Sequence, residues 1–338
     1  MTLAQIAKNV GVCKATVSFV LNGKAKQHHI SAATTRAVED YCRSIGYRPN
    51  IHAIRMCSKI VGNVMFLLNT GDKYSRTNSF SDYNVAQITG GIAHEARKAG
   101  CALSVRVFEP DMDTEIIFDS FRSREIDGMI YYGTTLPNEW IRVFKQEQCK
   151  VIGIGIRPQQ GISTININNL EISAALVGKL IGDGRRHFLY FAGSKDSYPG
   201  TERYAGFRDA LNSHQIPWSE DNCFAGNFDE QTAYRIMEEY LAGKRSLPDA
   251  VVCANDSMAV GVIHALRKNG ISIPGQIAVT GADNIMVSNY ITPSLTTFDN
   301  LAEAMGAEAF HLLSRQINGK SDIQDLILQS KIVRRESA

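Results

Sequence analysis

From residue 61 onward the chain alternates short apolar runs with amphipathic stretches of helical period, and this restricts its fold more than any other feature. The strand-like runs are 61–68, 102–108, 128–132, 150–156, 187–192, 249–254 and 276–281. Helical patterns occupy 84–99, 112–124, 138–147, 169–182, 201–214, 229–242, 256–269 and 300–317. Strands alternating with helices build parallel sheets covered on both faces. These units are too many for one comfortable sheet, and a break near Arg157–Asn169 divides them into two similar halves. Such halves close around a ligand at the carboxyl ends of their strands.

The first 60 residues read differently. They hold nine basic side chains against Glu39 and Asp40, a balance of +7. The whole chain of 338 residues carries +2, so the remainder carries −5. A basic head on an acidic body is the electrostatic footprint of a nucleic-acid-binding module joined to something else. Thr2 and Gln5 form a capping box, and Leu3, Ile6, Ala7 and Val10 follow at helical spacing. Gly11 supplies the residue tolerant of positive φ that a tight turn needs. A second helix is predicted from Lys14 to Leu21, and a third from Ser31 to Ile45 with Gly46 as its cap. Helix, glycine turn and helix at this length make a helix-turn-helix.

Several further motifs occur in order. In the head they are Leu3-Ala4-Gln5-Ile6-Ala7, the run from Gly11 to Asn22, Ile30-Ser31-Ala32-Ala33-Thr34 and Ile45-Gly46-Tyr47-Arg48-Pro49-Asn50. In the body they include Asp127-Gly128-Met129-Ile130, Arg203-Tyr204-Ala205-Gly206-Phe207, the run from Ala254 to Gly261, Gly281-Ala282-Asp283-Asn284, Pro293-Ser294-Leu295-Thr296-Thr297 and Arg334-Arg335-Glu336-Ser337. By these motifs the chain resembles the LacI/GalR family of transcription regulators over nearly its whole length. The resemblance implies an α/β protein with an all-α helix-turn-helix head and a periplasmic-binding-protein-like core of two doubly wound parallel-sheet subdomains. It implies a DNA-binding domain over 1–49, a hinge over 50–60 and an effector and dimerisation core over 61–338, with crossovers near 157–168 and 282–298.

Carried over by position, Lys14 and Ala15 face base edges, while Thr2, Thr16, Ser18 and Asn22 contact phosphates. A lysine can donate to guanine O6 and N7, and hydroxyls near helix termini suit phosphate oxygens. Phe19 stands where the family usually has Arg, and Cys13 where it usually has Ser. Phe19 either meets a thymine methyl or packs on its own domain. His28 and His29 lack ligands at metal spacing, so His29 is expected at the DNA backbone or simply exposed. In the hinge, Asn50 can cap a short helix, Arg55 can pair with phosphate and Met56 takes the place of the family's minor-groove Leu. The linker Cys57-Ser58-Lys59-Ile60 is about three residues short, roughly 10 Å of extended chain. Either the hinge helix is shorter or the first strand begins later.

The resemblance assigns Arg203, Asn255 and Asp283 to the effector. Arg offers fork donors, Asn a donor and an acceptor, and Asp accepts two hydroxyls, which together suit a polyol. Phe228 falls where relatives stack an aromatic on the sugar. Tyr83 or Phe80 is expected to line the other half of the cleft, beside a long polar loop at 69–83. The bland roles are an ion pair for Arg203, a helix cap for Asn255, a turn for Asp283 and core packing for Phe228.

No Walker A, no Gly-x-Ser-x-Gly elbow and no complete dinucleotide fingerprint occurs, so no cofactor or metal is expected and the chain is read as a non-enzyme. Seven scattered cysteines without metal or redox spacing suggest free thiols in a reducing cytoplasm. No apolar run reaches membrane-spanning length and no secretory signal is visible, so no membrane partner is expected. The expected protein is a repressor that binds pseudo-palindromic operator DNA as a homodimer under control of a carbohydrate effector. The alternatives are a sugar- or nucleotide-transforming α/β enzyme with a basic appendage and a transport-binding protein.

Overall fold

The computed structural model describes residues 1–47, 60–69, 82–108, 112–243, 245–320 and 322–338. Asn50, Arg55, Met56 and Phe80 lie outside the described residues, as do most of the hinge and of the 69–83 loop. Two units divide the chain, Met1–Gly62 and Asn63–Ala338.

In the first unit, helices α1 (Leu3–Val10), α2 (Lys14–Leu21) and α3 (Ala32–Ser44) enclose a core of Ile6, Ala7, Val17, Val20, Val38 and Cys42. Local chemistry sets each boundary. The Thr2–Gln5 capping box forms in both directions, and Gly11 ends α1 at φ 75° in the left-handed region. Ser31 caps α3 by accepting from the Thr34 amide at 3.1 Å.

The second unit has two lobes. The first carries a six-stranded parallel sheet in the order β11-β5-β4-β3-β1-β2, where β1 is Asn63–Asn69, β2 Ala102–Val107, β3 Gly128–Gly133, β4 Val151–Ile154, β5 Ser163–Ile167 and β11 Asp325–Leu328. Helices α4 (Tyr83–Lys98), α5 (Glu115–Arg122), α6 (Asn138–Gln146) and α11 (Ala302–Ile317) belong to this lobe. One face buries Phe66, Ile88, Ile130 and Phe310, and the other Met65, Phe118, Trp140 and Phe144. The second lobe has a parallel sheet in the order β7-β6-β8-β9, with β6 at Phe188–Ala192, β7 at Cys223–Ala225, β8 at Ala250–Cys253 and β9 at Ala278–Thr280. Its helices are α7 (Asn169–Gly182), α8 (Tyr198–Ser213), α9 (Glu230–Ala242) and α10 (Asp256–Lys268).

The chain enters the second lobe at α7, returns through 281–300 and crosses again after β11. There β12 (Ile332–Val333) pairs antiparallel with β10 (Thr297–Phe298). Ser337 then accepts from the Val279 amide and donates to the Val279 carbonyl through its hydroxyl. The first strand begins at Asn63 rather than Val61, as the second explanation for the short linker expects, while the hinge lies outside the described residues. The expected break at 157–169 requires correction, because it contains β5, a full member of the first sheet. Its sequence Ser-Thr-Ile-Asn-Ile looks polar, yet every residue is buried. Strands β7, β10, β11 and β12 had also escaped the pattern, being short or mixed in polarity.

Helix pairs approach until backbone touches backbone. A Cβ on Gly206 of α8 would lie 2.2 Å from the Leu170 carbonyl oxygen of α7. Gly206→Ala is therefore expected to cost about 2–3 kcal/mol by overpacking. Gly178→Ala, within α7 where a Cβ meets nothing within 4 Å, should instead stabilise by roughly 0.5–1 kcal/mol. Denaturant unfolding of the two variants checks this; equal effects would mean the helix contact is not tight.

Candidate functional site

Parallel strands feed helices whose amino termini meet at the edge between the lobes. Ser197 caps α8, Asp229 caps α9 and Asn255 caps α10, accepting from the amides of Gly200, Thr232 and Met258 at 3.2, 2.7 and 3.0 Å. All three caps line a cavity of about 780 Å³ between the lobes. Asp82, which caps α4 from the first lobe, lines it too. Helix amino termini aim unpaired N–H groups and positive dipole ends into this space.

Tyr83, Arg203, Phe228, Asn255 and Asp283 all line this one cavity. Arg203 is only 4% exposed. Its Nε donates to Asn169 Oδ1 at 2.9 Å, Nη1 to the Ala254 carbonyl at 2.7 Å, and Nη2 to Asp283 Oδ1 at 2.9 Å and Asn300 Oδ1 at 3.2 Å. The guanidinium also lies 5.2 Å from the Phe298 ring centroid. Burial pushes the Asp283 carboxyl upward, while the Arg203 charge draws it back. Asp283 sits at φ 114° and Asn284 at φ 54°, backbone states that non-glycine residues rarely adopt. The lattice of bonds around Asp283 holds that conformation.

Asp256, next to the Asn255 cap, is fully buried and accepts from Thr297 Oγ1, Ser288 Oγ and the Ile285 amide at 2.6, 2.7 and 3.0 Å. It thereby pins the crossing segment onto α10. Burial, then the nearby Asp283 charge, pushes its carboxyl up to about 7. Asn255 uses its side-chain oxygen as the α10 cap, and its Nδ2 donates to the Phe228 carbonyl at 3.4 Å. Phe228, at φ 60°, lays its ring over Gly193, where a Cβ would come within 2.0 Å of the ring.

Asn84, Asn166, Asn169 and Asn300 line the same cavity and were not anticipated. Asn84, Asn169 and Asn300 open, or stand just before, helices that follow strands; the same positional signal had marked Asn255. Asn166 lies on the unanticipated β5, and its Oδ1 is buried with no partner among the described residues.

In the head, Lys14 and Ala15 are exposed on α2 and Asn22 at its C-cap, while Thr16, Ser18 and Phe19 are half-buried. Cys13 caps α2, and its thiol, 3.1 Å from Thr16 Oγ1, is drawn below its ordinary range by that hydrogen bond. The Phe19 ring stacks on His28 with centroids 3.5 Å apart and planes 11° apart. His29 is exposed at φ 52°, and Thr2 stands exposed at the start of α1.

A helix-turn-helix unit and a two-lobed parallel α/β unit with a polar cleft define a ligand-sensing DNA-binding protein. Residues 2–50 match the family model described as bacterial regulatory proteins, lacI family, and residues 177–338 match a periplasmic binding protein-like domain, more than half of the chain between them. The chain thus carries a DNA-binding domain of the lacI family together with a periplasmic-binding-protein-like domain. Catabolite control protein A of Staphylococcus aureus (strain MRSA252) is 24% identical over 98% of this chain and 97% of its own length. The HTH-type transcriptional regulator CelR of Thermobifida fusca is 25% identical over 99% of this chain and 98% of its own. Among solved structures, a lac repressor dimer bound to operator and the anti-inducer ONPF superposes with a TM-score of 0.85 at 23% identity, covering 100% of this chain and 98% of that one. A CelR–cellobiose complex gives 0.74 at 24% identity, with 100% of both chains covered. No helix among the described residues is long and apolar enough to cross a membrane.

Removing one partner of a buried ion pair strands the other charge. Asp283→Ala is expected to cost about 3–5 kcal/mol in denaturant unfolding, and Asp283→Asn clearly less, because an amide oxygen still accepts from Arg203. An unchanged unfolding midpoint for Asp283→Ala would contradict the reading of this pair as a buried structural bond.

Proposed function

We propose that this regulator is a repressor whose affinity for a two-fold symmetric operator is set by an uncharged polyol, a sugar or sugar derivative, held in the cleft between the lobes. One observation carries the reading: Arg203, Asp283, Asn255 and Asn300 line one polar cavity among converging helix amino termini, in a chain that also bears a lacI-type head. The relatives bound to cellobiose and to ONPF support a carbohydrate ligand. Asp283 retains lone pairs for hydroxyls beyond those engaged by Arg203, and Phe228 and Tyr83 offer apolar surface to a ring.

Lys14 and Ala15 read base edges in this proposal, with Thr2, Thr16, Ser18, Asn22 and His29 toward phosphates and Phe19 as an apolar neighbour. Asn50, Arg55 and Met56 serve the hinge. A single short helix reads few base pairs, so two copies acting across a pseudo-palindrome supply the needed contact. The ligand moves operator affinity only as far as it prefers one arrangement of the lobes. The protein works where its DNA is, in the cytoplasm, and catalyses no reaction. An enzyme reading finds little support in a cleft whose buried carboxylates are engaged by Arg203, Thr297 and Ser288.

An operator recovered by selection from random duplexes should be bound with a steep negative salt dependence, and Lys14→Ala should weaken it by about 1–3 kcal/mol. In a thermal screen of saccharides, a ligand at 100 times its Kd adds about 2.7 kcal/mol of stability, which Asp283→Ala should abolish. Operator binding unaffected by Lys14→Ala, or a ligand shift unaffected by Asp283→Ala, would refute the corresponding half of the proposal.

A further inference from the structure

Asn84, the second residue of α4, bonds the first lobe to the residues around Arg203. Its Nδ2 donates to Asp283 Oδ2 at 3.2 Å, and its Oδ1 accepts from Asn300 Nδ2 at 2.9 Å. The Asp82 cap, accepting from the Asn84 amide at 2.8 Å, fixes the backbone from which this side chain projects. Asp283 is thereby held from both lobes, through Oδ1 by Arg203 and through Oδ2 by Asn84. An amide used in this way presents one donor and one acceptor side by side. A pair of neighbouring hydroxyls can present the same two functions, one donating and one accepting.

We propose that Asn84 is the specificity-determining residue of the first lobe: it occupies, at Asp283 and Asn300, the two places that a vicinal diol of the effector takes, so that effector entry exchanges Asn84 for ligand and frees the amino end of α4. This rests on the reading of Asp283 as the effector carboxylate. It narrows the ligand class to molecules with adjacent hydroxyls. It also couples α4 to occupancy of the cleft, since Asn84 bonds to both residues that the diol would engage.

The first test needs no ligand. Asn84→Asp in the full-length chain sets a second carboxylate against Asp283. The charged and titratable groups around that pair are Asp82 on the α4 cap, His94 on α4, Arg203 from α8, Asp256 from α10, Asp299 before α11, Glu303 within it, and Arg335, which donates to the neighbouring Asn284. Arg203 bonds Asp283 directly and Arg335 bonds its neighbour Asn284, so neither arginine bonds position 84, and two carboxylates so close hold a proton between them. The folded pair therefore titrates above the unfolded value, and the variant loses stability as pH rises through that window. Its melting temperature should come nearest that of the wild type at about pH 4 and fall progressively behind, by a few degrees, as pH rises to about 8. Asn84→Ala should show no such pH-dependent gap, but faster amide exchange at 83–87 and 283–287. A profile for Asn84→Asp parallel to wild type, or unchanged exchange in Asn84→Ala, overturns the inter-lobe bond.

The second test uses cellobiose and ribose as diol-bearing probes. Asn84→Ala should bind the stabilising probe severalfold more tightly, because nothing has to be displaced. Weaker binding would make Asn84 an ordinary ligand contact and overturn the exchange. A pH-dependent gap in Asn84→Asp, with no saccharide response in any variant, would reject the effector reading and the exchange built on it, leaving only the bond between the lobes.

Discussion

The buried pair of Arg203 and Asp283 is the interaction on which the core depends. Two charges removed from water carry a desolvation cost that their mutual attraction offsets only when the remaining donors and acceptors are also satisfied. Here Asn169, the Ala254 carbonyl and Asn300 complete the guanidinium, and Asn84 engages the other carboxylate oxygen. These partners come from α7, the end of β8, the segment before α11 and the start of α4. One ion pair therefore gathers four chain segments from both lobes at one point, and a change at any of them alters the polar balance of the others. An interior polar lattice of this kind favours one arrangement over its neighbours because a half-satisfied version costs more than either extreme.

Around that hub the lobes are stiff. Helices of each lobe cross at glycines whose missing side chains admit the carbonyls of a neighbour: Gly91 beside Glu303, Gly306 beside Ile88, Gly206 beside Leu170. Packing at backbone distance leaves little room for sliding within a lobe. Relative movement then falls to the crossing segments, and one of these is itself anchored by Asp256 through Ser288 and Thr297. The cleft is best understood as two rigid jaws joined by polar pins.

Much of this architecture was legible in the residues. Apolar periodicity located each α-helix among the described core residues to within a few positions, because each carries a buried stripe. The capping box at Thr2 and the glycine at position 11 marked the head for the same local reasons that hold it together. What escaped was polar and non-local. Strand β5 hides because Ser163, Thr164 and Asn166 are buried yet hydrophilic, their hydrogen bonds running to residues far away in sequence such as Gln316 and Asp325. Asn84 escaped because its partners lie 199 and 216 residues further along the chain. Family position brought Arg203, Asn255, Asp283 and Phe228 to one cavity and the polar loop pointed to Tyr83, whereas the asparagines that complete the cavity could be found only by knowing which helix ends face one another.

The third crossing of the chain bears on how the protein is made. Strand β11 closes the edge of the first sheet against β5, and Ser337 binds Val279 at the edge of the second. Each lobe thus borrows its last piece from the final stretch of these 338 residues. Contacts that join such distant positions form late and slowly. Neither lobe is complete until residues 325–337 have docked on the edges they close. The two halves therefore mature together, and until that segment docks the unpaired edge of β5 is the surface that a chaperone would meet.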